Sequence, residues 1–191
     1  PKKIETSIIP GLQGGPHDNQ TAAIAVALKE AASPKFKKYG EQIVKNAKSL
    51  AGELNKLGYD LVSGGTDNHL ILIDLRNKKV NGATAALALE VAGVVLNKNG
   101  VPFDINPPFY PSGIRLGTPA LTTRGMKEKD MKKVSVFMDR AISEVSGWEF
   151  PADKDERRVV WKGYKEKIYK NKNLLSIARE VRLFCNKFPV P

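Results

Sequence analysis

Apolar and polar positions alternate along the chain in a way that predicts its helices. From Phe36 to Leu57, apolar residues recur at steps compatible with three and four, which is the spacing of one helix face. Ser33-Pro34 places a capping residue before a proline at the first helical position, and Gly58 stands where the residue after a helix end belongs. The pattern predicts an amphipathic helix that begins at Pro34.

The rest of the pattern predicts short strands that alternate with helices. We expect residues 1–9 to be an extended lead-in, because Pro10 follows the apolar pair Ile8-Ile9. A further helix is expected over 82–91, and helical spacing marks the stretch from Met131 to Val145 and a last region from Leu174 to Phe184. The predicted strands are Tyr59–Val62, Leu70–Leu75, Val94–Leu96 and Ile114–Gly117. Over residues 33–191 this order predicts a compact α/β domain, a small sheet with helices packed on it.

One predicted helix has no polar side. Residues 22–28 are small or apolar on every face of a helix over 20–32, for which Asp18 or Asn19 can serve as the cap. Such a helix is normally buried all round. Because the remainder of the chain does not obviously supply that cover, we expect its burying partner to lie in protein outside this sequence.

Composition narrows the class of protein. The 191 residues are 41% hydrophobic and contain one cysteine, Cys185, which excludes a disulfide framework and a four-cysteine zinc site. An intracellular setting is the default expectation, and with only two histidines we expect no metal site. No apolar run approaches the roughly 20 residues that span a bilayer.

The net charge of +11 is concentrated at the end of the chain, where residues 151–191 hold 11 basic and 5 acidic side chains. This balance permits a polyanionic partner, either nucleic acid or a ligand with several carboxylates. A solvated helix face is the alternative interpretation.

A glycine-rich turn precedes the apolar helix. Gly14 and Gly15 lack side chains, so their backbone N–H groups can approach a ligand closely, and a helix start beside them suits a phosphate. An ordinary loop is the alternative. His17 is interpreted as a capping or packing residue, and Asp67-Asn68-His69 as a hydrogen-bonded turn at a strand entrance.

Four stretches together resemble the serine hydroxymethyltransferases, which interconvert serine and glycine with pyridoxal 5'-phosphate (PLP). They are Pro10-Gly11-Leu12-Gln13-Gly14-Gly15-Pro16-His17, Ser63-Gly64-Gly65-Thr66-Asp67-Asn68-His69-Leu70, Val94-Val95-Leu96-Asn97-Lys98-Asn99 and Ser112-Gly113-Ile114-Arg115-Leu116-Gly117-Thr118-Pro119-Ala120. The resemblance is clearest up to about Val145. It implies a fold-type I PLP-dependent transferase of which this chain is the C-terminal part. Residues 1–32 then end the large PLP-binding domain, and 33–191 form the small domain.

The resemblance also implies roles for individual residues. Gly14 and Gly15 match the turn that binds the cofactor phosphate, Arg115 matches the arginine that grips the substrate α-carboxylate, and Asn99 matches a residue that hydrogen-bonds tetrahydrofolate. Lys98 and the basic tail could attract the folate carboxylates. No Thr-Thr-His-Lys-like stretch occurs, so the Schiff-base lysine is absent and no catalytic residue is expected in this chain.

The chain alone is therefore expected to be inactive. Its expected partners are the N-terminal part of the same enzyme and further subunits of a homodimer or homotetramer, in the cytoplasm and away from membranes. The rival hypothesis is a non-catalytic basic module that binds nucleic acid or a partner protein. Nucleic acid is the less favoured partner, because no recognised motif or aromatic stacking stripe is present.

Overall fold

A computed structural model describes residues 1–190. The chain divides into two compact units, Pro1–Lys38 and the part from Tyr39 onward. The division falls a few residues after the boundary expected between 32 and 33, and the assignment of these parts to a large and a small domain stays a prediction. Within residues 1–190, no helix is both long and apolar enough to cross a membrane.

The first unit is helical from its start. It contains α1 (Lys2–Thr6), a kinked helical stretch at Ser7–Leu12 and α2 (Asp18–Ala31). The extended lead-in predicted for 1–9 is therefore wrong. Pro10 acts only locally: Ile9, with φ −128° and ψ 119°, leaves the helical region because a residue before proline is disfavoured there.

The second unit contains helices around a small sheet. The helix α3 (Pro34–Lys56) leads into it from the first unit. The strands are β1 (Asp60–Leu61), β2 (Leu70–Asp74), β3 (Asn97–Asn99) and β4 (Gly113–Gly117), and the further helices are α4 (Gly82–Val91), α5 (Pro119–Thr123), α6 (Glu128–Ser143), α7 (Lys154–Tyr169) and α8 (Lys172–Cys185). The strands run in the order β1-β2-β4-β3 with every neighbouring pair antiparallel. The predicted α/β class is confirmed.

The prediction of α3 is confirmed in its start and its buried face. The helix begins at Pro34, and its apolar stripe places Leu50 and Leu54 in the core with no exposed surface. Gly58 follows the helix end with φ 76°, a left-handed conformation that glycine adopts without a Cβ penalty.

The strand predicted at Val94–Leu96 is wrong. Val94 N–H donates to the carbonyl of Leu89 and closes the end of α4, and Val95 is 83% exposed. The ladder is formed instead by the polar residues Asn97–Asn99, which pair with Gly113–Arg115. An edge strand tolerates polar residues because only its backbone pairs with the sheet.

The core sets the direction of the side chains on the sheet. Ile73 of β2 lies opposite Ile114 of β4, and both are fully buried with helix residues such as Leu54 and Met138. Because successive side chains of a strand alternate between the two faces, Arg115 lies on the face opposite to Ile114.

Candidate functional site

Arg115 occupies an exposed position on an internal strand. It lies between Leu72 of β2 and Asn97 of β3 in the register of the sheet. Within residues 1–190 its guanidinium makes no hydrogen bond and no ion pair. A free, planar guanidinium can bind both oxygens of a carboxylate at once. The side chain predicted to bind an anion is therefore available for one.

Asn99 lies on the same face of the sheet as Arg115. Asn97 is directly opposite Arg115, and Asn99 follows it by two positions on β3. Diagonal neighbours on antiparallel strands lie about 7–8 Å apart. Asn99 donates its Nδ2 hydrogen to the carbonyl of Gly100 at 2.7 Å, which leaves Oδ1 as an acceptor. The structure thus brings the two predicted binding residues together.

An open groove of about 410 Å³ runs beside Arg115. Its polar lining comes from Arg115, Asn97, Lys98 and Glu90, and Trp161 of α7 is among its apolar lining. Both signs of charge and an apolar wall are present in one groove. This lining suits a ligand that carries a carboxylate beside a less polar body.

Lys98 is partly engaged by the chain itself. Its Nζ donates to the carbonyl of Phe109 at 2.7 Å and lies 5.8 Å from the centroid of that ring. The ammonium therefore holds the connection between β3 and β4 as well as lining the groove. Its attraction for folate carboxylates stays a prediction.

Asp104 organises the connection between β3 and β4. Its carboxylate accepts hydrogen bonds from the amide and hydroxyl of Ser112 at 2.8 and 2.7 Å, and from the amides of Asn106 and Val101 at 3.0 and 3.3 Å. Burial alone would raise the pKa of Asp104, but these hydrogen bonds together hold its pKa below the ordinary value. One carboxylate thus ties residues near Asn99 to residues near Arg115.

Residues at the start of α4 also hold the connection between β3 and β4 in place. Asn81 caps the helix by accepting from the amide of Ala83 at 2.8 Å, and its Nδ2 donates to the carbonyl of Tyr110 at 2.6 Å. Gly82 N–H donates to the carbonyl of Pro111 at 2.8 Å. A Cβ on Gly82 would meet the backbone carbonyls of Pro111 and Gly113, so the approach requires glycine.

Sequence reasoning missed these supporting residues. Asn81-Gly82 at the start of a predicted helix was a signal for a cap, but its contact with Tyr110 joins residues far apart in the chain. The partners of Asp104 depend on how the whole connection folds, and sequence spacing alone does not disclose them.

An aromatic cluster attaches α7 to this region. Phe150 lies with its ring centroid 4.9 Å from that of Tyr110 and 5.8 Å from that of Trp161, and Tyr164 packs on Phe150 at 5.5 Å. Arg157 lies over the ring of Tyr110 at 5.7 Å. Trp161 and Tyr164 of this basic helix therefore pack on aromatic residues that precede the helix.

The two glycines of the predicted phosphate turn lie in the first unit. Gly14 and Gly15 are exposed, and a Cβ on either would meet no atom within 4 Å. Neither has a positive φ. The helix α2 begins at Asp18, three residues after Gly15. His17 holds its cap position, but the His17 side chain makes no capping hydrogen bond. Asp18 and Asn19 lie inside the helix, so the prediction that one of them caps it is wrong.

The assignment of Gly14 and Gly15 to the phosphate of PLP stays a prediction. Exposed backbone amides just before a helix start form a donor set that suits a phosphate. Within residues 1–190, no group of three or more histidine, cysteine, aspartate or glutamate side chains is placed to hold a metal ion.

The turn at 63–70 has local roles. Asn68 Oδ1 accepts from the amide of Leu70 at 2.8 Å, and Thr66 Oγ1 donates to the carbonyl of Leu70 at 2.7 Å. The side chain of Asp67 is fully exposed, 3.5 Å from Lys48. The interpretation of this stretch as a hydrogen-bonded turn is confirmed.

Comparison with known proteins decides the family. The family model for serine hydroxymethyltransferase matches residues 1–138. The chain belongs to this family. A serine hydroxymethyltransferase of Desulfotalea psychrophila is 49% identical over 190 residues, and one of Acidothermus cellulolyticus is 48% identical over 191 residues. Each alignment covers 100% of this chain but only 39% and 40% of the relatives, in their C-terminal part. The chain thus spans about two fifths of the length of these curated relatives.

Proposed function

We propose that this chain is the C-terminal part of a PLP-dependent serine hydroxymethyltransferase. The enzyme would transfer a one-carbon unit reversibly between serine and tetrahydrofolate, with glycine as the other amino acid. The observation that carries the proposal is the unpaired guanidinium of Arg115, held on an exposed sheet face beside Asn99. Family membership supplies the reaction class.

In this proposal the residues of the chain bind and orient. Arg115 holds both carboxylate oxygens of the amino acid, which fixes the bonds at the α-carbon in space. Asn99 hydrogen-bonds the folate, and the amides of Gly14 and Gly15 donate to the phosphate of the cofactor. When bound, PLP supplies an electron sink for negative charge at the α-carbon.

The remaining parts of the site come from other polypeptide. The N-terminal part of the enzyme supplies the lysine that holds PLP, and the assembly is a homodimer or homotetramer in the cytoplasm. The length of the relatives supports a missing N-terminal part, because they extend well beyond this chain. By itself the chain would not catalyse the reaction.

The test combines the chain with the segment that precedes it in the Desulfotalea psychrophila relative. Glycine formed from serine is measured in the presence of PLP and tetrahydrofolate. We expect activity only when both parts are present. Arg115→Ala should raise the KM for serine about 10- to 150-fold, since a charge-assisted hydrogen-bonded pair contributes about 1.5–3 kcal/mol. Arg115→Lys should restore part of this loss.

A matched control comes from the exposed arginine of α7. Arg158→Ala removes the same charge at a residue that does not line the groove, and it should leave the KM for serine unchanged. An Arg115→Ala enzyme with an unaltered KM would remove Arg115 from the site. Lack of activity in a folded complex of both parts would contradict the proposed function.

A further inference from the structure

Phe103 stands in a backbone conformation that its side chain disfavours. Asp104 N–H donates to the carbonyl of Val101 at 3.1 Å and closes a four-residue turn with Pro102 second and Phe103 third. The φ of Phe103 is 56°. Turns with proline second and a positive φ third normally hold glycine or asparagine at that third position. A bulky residue there is uncommon.

No packing of the Phe103 side chain within the described residues offsets this conformation. The side chain of Phe103 is 96% exposed, and Ile105 and Phe109 in the same connection are 90% and 76% exposed. Single exposed apolar residues are ordinary, but these three large side chains fall within seven residues of one loop. We call them the apolar tip. Exposed apolar surface concentrated in one place is typical of sites where another molecule binds.

The apolar tip is held in place rather than loosely attached. Asp104 binds backbone and side chain of Ser112, a residue that is 2% exposed, and Lys98 holds the carbonyl of Phe109. A surface that is ordered before binding loses little conformational freedom on association. This ordering is what a docking surface needs.

We propose that the apolar tip docks onto the N-terminal part of the enzyme, the polypeptide that precedes Pro1 in a full-length chain. The proposal rests on the proposed function. Two observations favour this occupant. The relatives contain about three fifths of their length beyond this chain, enough to supply a large covering surface. Along the chain the tip also lies between Asn99 and Arg115, and in the proposed function the N-terminal part brings the lysine that holds PLP to the same site.

Phe103→Asn distinguishes docking from folding, because it should stabilise the folded chain and weaken its association with the N-terminal part. Asparagine tolerates a positive φ, so the chain alone should unfold at a temperature about 2 °C higher. The same change removes a contact ring, so the Kd for the separately produced N-terminal part of the Desulfotalea psychrophila relative should rise about tenfold or more. Thermal unfolding measures the first quantity, and titration calorimetry measures the second.

Leu183→Gln is the matched control, since Leu183 is 67% exposed on α8, away from the tip. It should leave the Kd unchanged. Phe109→Ser is a second variant of the tip, and it should weaken association without raising the unfolding temperature.

The outcomes separate this inference from the proposed function. Association that is equally strong with Phe103→Asn overturns the inference, even if the complex forms glycine from serine. Association that depends on Phe103 in a complex without activity supports the inference and contradicts the function. No association of the unaltered chain overturns the docking proposal. Self-association of the chain that Phe103→Asn abolishes would assign the tip to a second copy and also overturn it.

Discussion

At the scale of single residues, Asp104 holds together the connection between β3 and β4, the strands that carry Asn99 and Arg115. Its carboxylate collects hydrogen bonds from both ends of the connection that joins the strands of Asn99 and Arg115. Asp104→Asn replaces an acceptor by an amide whose NH2 group faces donors, so we expect a loss of about 1–2 kcal/mol in the free energy of unfolding at neutral pH. Chemical denaturation of both chains measures this difference.

The contribution of Asp104 should also depend on pH. Because the folded-state pKa is held below the ordinary value, the stabilisation is fully present above the unfolded-state pKa, near 4, and is lost as the pH falls through the folded-state pKa. The difference from Asp104→Asn should therefore shrink below about pH 4. Asp67→Asn, at a fully exposed carboxyl, should change stability by less than about 0.5 kcal/mol. A difference at Asp104 that persists to the lowest pH would show that ionisation is not its cause.

At the scale of elements, the start of α4 is joined to β4 through glycine. Alanine favours a helix over glycine by about 1 kcal/mol. At Gly82, however, its Cβ would press on the backbone carbonyls of Pro111 and Gly113, which cannot yield without moving β4. We expect Gly82→Ala to lower the free energy of unfolding by about 1–3 kcal/mol, as overpacking does. Urea denaturation gives the value.

Gly163 in α7 provides the opposite case. A Cβ at Gly163 would meet no atom within 4 Å, and the residue lies inside a regular helix. Gly163→Ala should therefore raise the free energy of unfolding by about 0.5–1 kcal/mol. If both substitutions changed stability in the same direction, the close approach of α4 to β4 would not be the reason for glycine at position 82.

The elements also show what sequence could predict. The helices α3 and α4 were predictable because their start and stop residues act within a few positions. The strand predicted at Val94–Leu96 is wrong, because an apolar run does not by itself show which residues pair with the sheet. Its actual residues, Asn97–Asn99, are selected by the register with Gly113 and Arg115, a contact that spans a long connection.

The residues of the candidate site were likewise predictable only in part. Arg115 and Asn99 were recognisable from short motifs around them, and the structure places them on one face. Asp104 and Phe103 were missed because their significance depends on the folded connection. The hydrogen bonds of Asp104 reach up to eight positions along the chain, and the exposure of Phe103 is a property of the finished fold.

At the scale of the whole molecule, the two units differ in how their residues are buried. In residues 1–32 every residue is exposed, including Ile24, Val26 and Leu28, at 60%, 60% and 65%. The sequence predicted that the burying partner of this helix lies in protein outside this sequence, and that hypothesis stays a prediction. A helix of this length without tertiary packing is marginally stable in water.

Hydrogen exchange should make this difference measurable, because α2 and α8 both contain 14 residues. In α8, Leu174, Ile177 and Val181 are buried, so its amides should open only with the surrounding core. In α2, amide protection should stay below about tenfold in the isolated chain, as expected for a marginal helix. Adding the N-terminal part should slow exchange in α2 and leave β2 unchanged. Equal protection of α2 and α8 in the isolated chain would mean that α2 needs no partner, and the case for a missing covering surface would then fail.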